Sequence, residues 1–415
     1  MRRSSQIAYA LLCGGACAAT ALPAQAASYA VVYAFQGCGD GAQPQASLIN
    51  VGGILYGTSA IGGSTKCSDQ NGGGGGTVFS FDPAAGTENI VYAFKKKLGF
   101  QPVAPLLDVG GTLYSTAFSG AGNNGGTAFS VKPTTGAAKL LYTFGGVSDG
   151  ASPAAGLIAI GNILYGTTED GSNGAGNGTV FSLNRKTHAE SVVYDFQDGS
   201  DGAQPSAGLI EVGGILYGTT SYGGSLNCTY GCGTIFSINP TTGVETVLYR
   251  FQGGTDGDDP AASLIAVGTT LYGTTIWGGG SPNCVVRGEP FEGCGTVFAL
   301  NLTTGTESIV YSFQGGTDSA YPYGSLIRVG PLLYGTTQEL GNSIGPVGGT
   351  VFSLNPATNI KTTLHDFQGG SDGSYPEAGL LNVGGTLYGT TFAGGGQSRC
   401  VGPPAGCGTI FALTP

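Results

Sequence analysis

Short apolar runs that alternate with polar residues recur along almost the whole chain, each bounded by Gly, Pro, Asn or Asp. A period of two over about five residues is the pattern of a strand with one covered face. The stretch 192–243 shows the unit clearly: Val192 to Phe196, Gly208 to Val212, Ile215 to Thr219 and Gly233 to Ile238, with turns at Gly213-Gly214 and Asn239-Pro240-Thr241-Thr242-Gly243. We name these strands d, a, b and c. Small residues before strand a, as in Ser206-Ala207-Gly208, suit a crowded innermost strand, and the Tyr and Phe of b and c suit wider space farther out.

The unit repeats. The tetrapeptide Leu55-Tyr56-Gly57-Thr58 has counterparts at Tyr114, Tyr165, Tyr217, Tyr272, Tyr334 and Tyr388, with spacings of 58, 51, 52, 55, 62 and 54 residues. Such a period is too long for a solenoid coil and fits a four-stranded propeller blade. The expected fold is all-β, a seven-bladed β-propeller of four antiparallel strands per blade. Its last repeat ends at a c strand, Thr409 to Leu413, while a d-type strand, Ala30 to Phe35, precedes the first repeat. Pairing these two would close the ring and remove its free edges.

Gly numbers 79 and Pro 20, which would suggest disorder if the apolar positions were not periodic. Residues 1–26 read as a signal peptide: Arg2 and Arg3, an apolar run from Ile7 to Leu22, and Ala24-Gln25-Ala26 as a cleavage site. The propeller domain is then 27–415, secreted or periplasmic. No later apolar run approaches the ~20 residues of a membrane span. Without Arg2 and Arg3 the chain has 13 basic against 25 acidic residues, a net charge of −12, which argues against nucleic acid as a partner. A monomer is expected.

The LYGTT, GGTVFSLNP and VYxFxGGxDGxxP runs resemble those of the GloVer tandem-repeat family of exported bacterial proteins and, more distantly, kelch-type propellers. The resemblance covers residues 28–415 and implies the repeat fold; it brings no activity and no catalytic residues with it. Repeat two departs from the pattern at Lys95-Lys96-Lys97-Leu98 and at Ser115, where the other repeats have Gly.

In such a blade the d-to-a and b-to-c loops share one face, and only these vary much in length. The longest b-to-c loops contain the cysteines. This predicts disulfides Cys38 with Cys67, Cys228 with Cys232, Cys284 with Cys294 and Cys400 with Cys407, which restrain long Gly-rich loops in an oxidising compartment. Zinc would want His nearby or a repeated CxxC, and neither is present. Six d-to-a loops carry Asp followed four residues later by Pro, at Asp40, Asp149, Asp201, Asp256, Asp318 and Asp372. An Asx-turn, with the carboxylate accepting the N–H two residues on, explains one carboxylate per loop better than calcium does. Asp256-Gly257-Asp258-Asp259 is the one richer copy.

Residues just after each LYGTT should face the variable loops: Phe118, Glu169, Asp170, Tyr222, Trp277, Glu339 and Phe392. Aromatics and carboxylates at a propeller mouth suit a sugar or peptide, although the same side chains could merely pack their loops. Trp277 is the only Trp, with Tyr222 in the preceding blade as an expected neighbour. His188 and His365 fall at structural positions, and no nucleophile elbow, P-loop, metal or cofactor motif is found. The leading reading is non-catalytic recognition of a glycan, peptide or envelope component. A glycan hydrolase or lyase using two of Glu169, Asp170, Glu339, Glu289 and Glu292 is the alternative, and a structural envelope protein the third.

Overall fold

The computed structural model describes residues 27–64, 74–95, 97–120, 125–146, 148–171, 176–284, 293–339, 348–396, 400 and 405–415. The expected signal peptide, Cys67, Glu289 and Glu292 lie outside them. Seven four-stranded antiparallel sheets are present. Blades 1 to 6 take their strands in the order a-b-c-d, as in blade 4: Ile210–Val212, Ile215–Thr220, Thr234–Ile238 and Glu245–Arg250. Blade 7 is built from Leu381–Val383, Thr386–Thr391, Thr409–Thr414 and, as its d strand, Ser28–Ala34. Ser28 pairs with Thr414 and Ala34 with Thr409, so the first strand closes the ring.

Every c–d pair slips by one residue at the same place, for example between Val180 and Phe181. This bulge turns consecutive d residues such as Val193 and Tyr194 toward the next blade, where both join the core. A hydrophobic core sits between each pair of neighbouring blades. At its centre a d-strand Phe meets the next blade's c-strand Phe edge to face, as Phe251 meets Phe298 at 5.0 Å and Phe35 meets Phe79 at 5.1 Å.

That ring sets the LYGT motif. A Cβ on Gly273 would lie 2.4 Å from Phe298 Cζ, so glycine is demanded there by space. Blade 2 has Ser115 instead, its hydroxyl donating to the carbonyls of Ala104 and Pro105. The last Thr of strand b bonds the first Thr of strand c behind the core, as Thr220 Oγ1 to Thr234 Oγ1 at 2.9 Å. In blade 2 Ala117 takes the former place, and Thr127 donates to the Leu98 carbonyl.

Three of the expected disulfides are formed: Cys228–Cys232, Cys284–Cys294 and Cys400–Cys407. Cys38 is also disulfide-bonded. Two pairs sit over glycines of the following d-to-a loop, the Cys228 and Cys284 sulfurs lying 2.7 and 2.9 Å from where Cβ atoms of Gly253 and Gly315 would be. Each bridge thus closes its own b-to-c loop and packs it against the next loop. Peptide mapping without reduction should recover Cys38 joined to Cys67; Cys38 recovered as a free thiol or bridged elsewhere would reject that pair. No helix among the described residues is long and apolar enough to cross a membrane.

The repeated aspartates do not form the expected Asx-turns. Each accepts the backbone N–H four residues earlier and, in five loops, the O–H of a tyrosine seven residues earlier: Tyr194 Oη donates to Asp201 Oδ1 at 2.8 Å and the Gln197 N–H to Asp201 Oδ2 at 2.8 Å. The carboxylate points back along the chain because the bulge has placed that hydroxyl on the loop face. His365 replaces the tyrosine in the sixth loop, 3.2 Å from Asp372 and stacked on Tyr29 at 3.5 Å. His188 lies in a c-to-d turn beside Lys139, so neither histidine is at the loop-face mouth.

Candidate functional site at the mouth of the ring

Strand a enters each blade through a proline, and the residue before it has positive φ in all seven: Gln43, Gln101, Ser152, Gln204, Asp259, Tyr321 and Tyr375, between 54° and 60°. Left-handed backbone is costly for a side chain other than Gly, and a following proline disfavours helical backbone further. Two hydrogen bonds hold it. The N–H reaches the preceding blade, as Asp259 N–H to the Cys232 carbonyl, and the C=O accepts from the residue after strand b of its own blade, as from the Ile276 N–H. Seven strained positions thereby form a ring around the axis on the loop face, occupied by Gln, Gln, Ser, Gln, Asp, Tyr and Tyr in blade order.

A second ring follows strand b. Its members pair with the d-to-a loops: Asp170 with Ala151, Tyr222 with Ala203, Glu339 with Ala320, and Trp277 with Asp258. Between the rings and the axis lies a cavity of about 380 Å³. Gln45, Gln101, Phe118, Glu169, Tyr323 and Glu377 line its polar and aromatic wall, and the small residues that lead into the a strands form its floor.

Of the residues singled out in the sequence, Phe118 and Glu169 line this cavity. Asp170 accepts from Ser152 Oγ at 2.7 Å, beside Glu169. Trp277 is half-buried and packs on Tyr321 of the next blade, ring centroids 4.6 Å apart. Tyr222 packs on Tyr230 and lines a second cavity of about 360 Å³ with Leu226 and Gln204. Glu339 is half-buried on the b-to-c side, and Phe392 donates its N–H to the Tyr375 carbonyl.

Sequence reasoning missed the residues that flank the prolines: Asp259, Tyr321, Tyr323, Tyr375 and Glu377. Their signal was an aligned column that varies from blade to blade beside an invariable proline, as in Tyr321-Pro322-Tyr323 and Tyr375-Pro376-Glu377. Glu377 accepts from Gln338 Nε2 at 2.7 Å and Gln45 Nε2 at 3.2 Å. Asp259 has one oxygen, Oδ1, shielded from water without a hydrogen-bond partner.

Carboxylates dominate the field here. Burial, then Asp170 and Asp259, push the Glu169 carboxyl up to about 7. Burial and then Asp259 raise Asp258 to about 7, and burial raises Asp259 itself to about 6 against a bond from Ser221. Burial also raises Glu339 and Glu377. The Tyr323 hydroxyl is held above its usual range by burial and then by Glu377, Asp259 and Glu169. Residues of blades 3, 5, 6 and 7 therefore sense one another across the axis. No Lys, Arg or His lines the cavity among the described residues.

Metal and nucleophile chemistry find little support in these side chains. Cys228, Cys232 and Asp258 lie close together, but the two sulfurs are bonded to each other and offer no thiolate. The mouth can accept hydrogen bonds from hydroxyl, amide or ammonium groups and can stack on a ring or apolar side chain.

The Gloeobacter/Verrucomicrobia repeat profile matches residues 65–287 and 284–415. No curated protein matches the chain. Among solved structures, a candidate 6-phosphogluconolactonase of Bacteroides uniformis is similar at 16% identity, with 76% of this chain and 84% of that one covered and a TM-score of 0.49. Its counterpart from Bacteroides fragilis gives 18%, 78%, 84% and 0.47. A nidogen/laminin complex gives 14%, 70%, 90% and 0.40. Likenesses this distant say nothing about activity.

Proposed function

The chain belongs to the Gloeobacter/Verrucomicrobia repeat family, and on that footing we propose that it is an exported, non-catalytic recognition propeller that binds a glycan, peptide or envelope component at the mouth around Trp277, Tyr323, Glu169 and Glu377. One observation carries this reading: the residues that follow the seven prolines, Gln45, Val103, Ala154, Ser206, Ala261, Tyr323 and Glu377, occupy equivalent places, differ from blade to blade and all line one cavity. Packing alone would favour one residue type at equivalent places, as the LYGT tyrosines illustrate. Carboxylates and amides without cations fit a ligand rich in hydroxyl, amide or ammonium donors, and Tyr323 and Trp277 offer stacking faces. The disulfides suit an oxidising extracellular compartment. Export through the segment 1–26 belongs to the same proposal.

A glycan array and a peptide library, with product analysis of every retained compound, test it. Trp277→Ala is expected to weaken binding of a retained compound at least tenfold with little change in melting. A loss of ~3 kcal/mol in stability with affinity intact would make Trp277 a packing residue. The elevated Glu169 facing Asp259 favours one second reading, a glycan hydrolase or lyase with Glu169 as general acid. Cleaved products that disappear in Glu169→Gln would establish that reading over recognition.

A further inference from the structure

The tyrosine–aspartate bonds of the d-to-a loops are faced, from the next blade, by one position of its d strand. That position is Glu88 opposite Phe81, Glu190 opposite Leu183, Glu245 opposite Ile238 and Glu307 opposite Leu300. In blade 6 it is Lys361, opposite Leu354, and in blade 7 Tyr29, opposite Leu413. In blade 2 it is Ala138, opposite Val131. Blade 2 follows the one junction whose tyrosine, Tyr92, has Gly99 instead of Asp seven residues on. A glutamate or lysine thus faces the bond at five of the six junctions that have the aspartate, and alanine stands where it is missing.

A count of protons shows what the glutamates need. A phenol has one proton, and it goes to the aspartate: Tyr33 to Asp40 at 2.8 Å, Tyr142 to Asp149 at 2.7 Å, Tyr194 to Asp201 at 2.8 Å, Tyr249 to Asp256 at 2.9 Å. The glutamate then meets a phenol oxygen already committed as donor and a second carboxylate, as Glu88 does 3.4 Å from Tyr33 Oη. Its other oxygen, Oε1, is shielded from water without a partner at all four junctions. An ionised glutamate has no donor to offer there. Lys361 shows how the same geometry is balanced with a cation: its ammonium, on a side chain 3% exposed, donates to Asp318 Oδ1 at 3.0 Å, the Asp318 carbonyl at 2.8 Å and Thr363 Oγ1 at 3.2 Å.

We propose that a proton does at the other four junctions what the Lys361 ammonium does in blade 6: Glu88, Glu190, Glu245 and Glu307 are carboxylic acids in the folded ring near neutral pH, and the junctions form a pH-sensitive set of latches. Glu88, Glu190 and Glu307 each donate to the phenol oxygen, which donates in turn to the aspartate, and Glu245 as a neutral acid relieves the repulsion with Asp201. Burial is the main cause of a raised carboxyl in every case, to about 8 for Glu88 and about 7 for Glu190, Glu245 and Glu307. The facing Asp40, Asp149, Asp201 and Asp256 add to it. Tyr33, Tyr142 and Tyr249, and Arg250 on the strand of Glu245, pull the other way. Because the folded value lies above the unfolded ~4.3, the folded ring binds more protons across that interval. The latch contribution is complete below the unfolded value and is lost as pH rises through 7 to 8.

Two measurements on the full chain test this, with chelator present. The infrared band of protonated carboxyl groups at neutral pD should shrink in E88Q/E190Q/E245Q/E307Q, whose amides mimic the acid. The melting temperature of the unaltered chain should fall between pH 6 and 9, and that of the variant should fall less, the remaining slope coming from the mouth carboxyls. If the fourfold variant does not fold, E190Q alone should still lose part of the band. A spectrum of the unaltered chain with no protonated carboxyl band, or equal pH slopes for the two proteins, overturns the proposal. So does calcium that raises melting at pH 8 in the unaltered chain but not in the variant, since a metal would then be the cation.

Discussion

Removing residues 27–36 is expected to abolish the cooperative folding of the isolated chain. The deletion takes away the whole d strand of blade 7, so Thr409–Thr414 becomes a bare edge. It also removes Phe35, fully buried against Phe79, together with Val32 and Tyr33 from the core between blades 7 and 1, and Tyr29 from the stack with His365. Loss of one buried Phe costs ~3–5 kcal/mol, and the strand as a unit should cost more than ~5 kcal/mol, the lower end of a domain's total stability. Thermal unfolding of the truncated protein should therefore lose its sharp transition. A synthetic peptide of residues 27–36 should restore it by strand addition. A truncated chain that melts as the full one does would mean that the ring does not depend on this closure.

Phe251→Ala should be the most damaging single substitution away from the closing strand. Phe251 is fully buried, lies edge to face with Tyr249 at 5.2 Å and Phe298 at 5.0 Å, and shares its core with Leu264 and Leu271. The flanking blades are held by backbone ladders within themselves and cannot slide inward to fill the gap. The full truncation cost of ~3–5 kcal/mol is expected, read from the denaturant midpoint at unchanged slope. Tyr230→Ala, at a ring 64% exposed, should stay within ~0.5 kcal/mol. Equal effects at the two sites would contradict a ring held together by its inter-blade cores.

The blades and their closure were legible because both rest on local patterns. Period-two alternation marks the strands, glycine pairs mark the turns, and a d-type run before the first repeat matches the gap after the last c strand. Three of the expected disulfides follow from loop membership in the same way. The bulge in every c–d pair was not legible, since Val193 and Tyr194 look like ordinary alternation; it appears only when Phe181 is found opposite Val192. The aspartate bond was hidden for the same reason: a Tyr and an Asp seven residues apart meet only after the bulge has turned the ring.

The mouth was half visible. Phe118 and Glu169 stand beside a motif that draws the eye, whereas Tyr323 and Glu377 follow a proline and look like loop residues. What places them on the mouth is left-handed backbone at Gln, Ser, Asp and Tyr positions, a conformation residue type does not announce and inter-blade hydrogen bonds enforce.

Trp277 is the chain's single tryptophan and packs on Tyr321, two residues before the cavity-lining Tyr323, so its emission reports on that place alone. Titrating the purified protein with the tightest compound from the glycan and peptide screens, while following Trp277 fluorescence, tests recognition at the mouth most directly. The account predicts a saturable spectral change with the same midpoint as binding measured calorimetrically, and a matched weakening of both in Tyr323→Ala. Calorimetric binding that saturates while Trp277 emission stays constant and Tyr323→Ala binds normally would place the ligand elsewhere on the molecule.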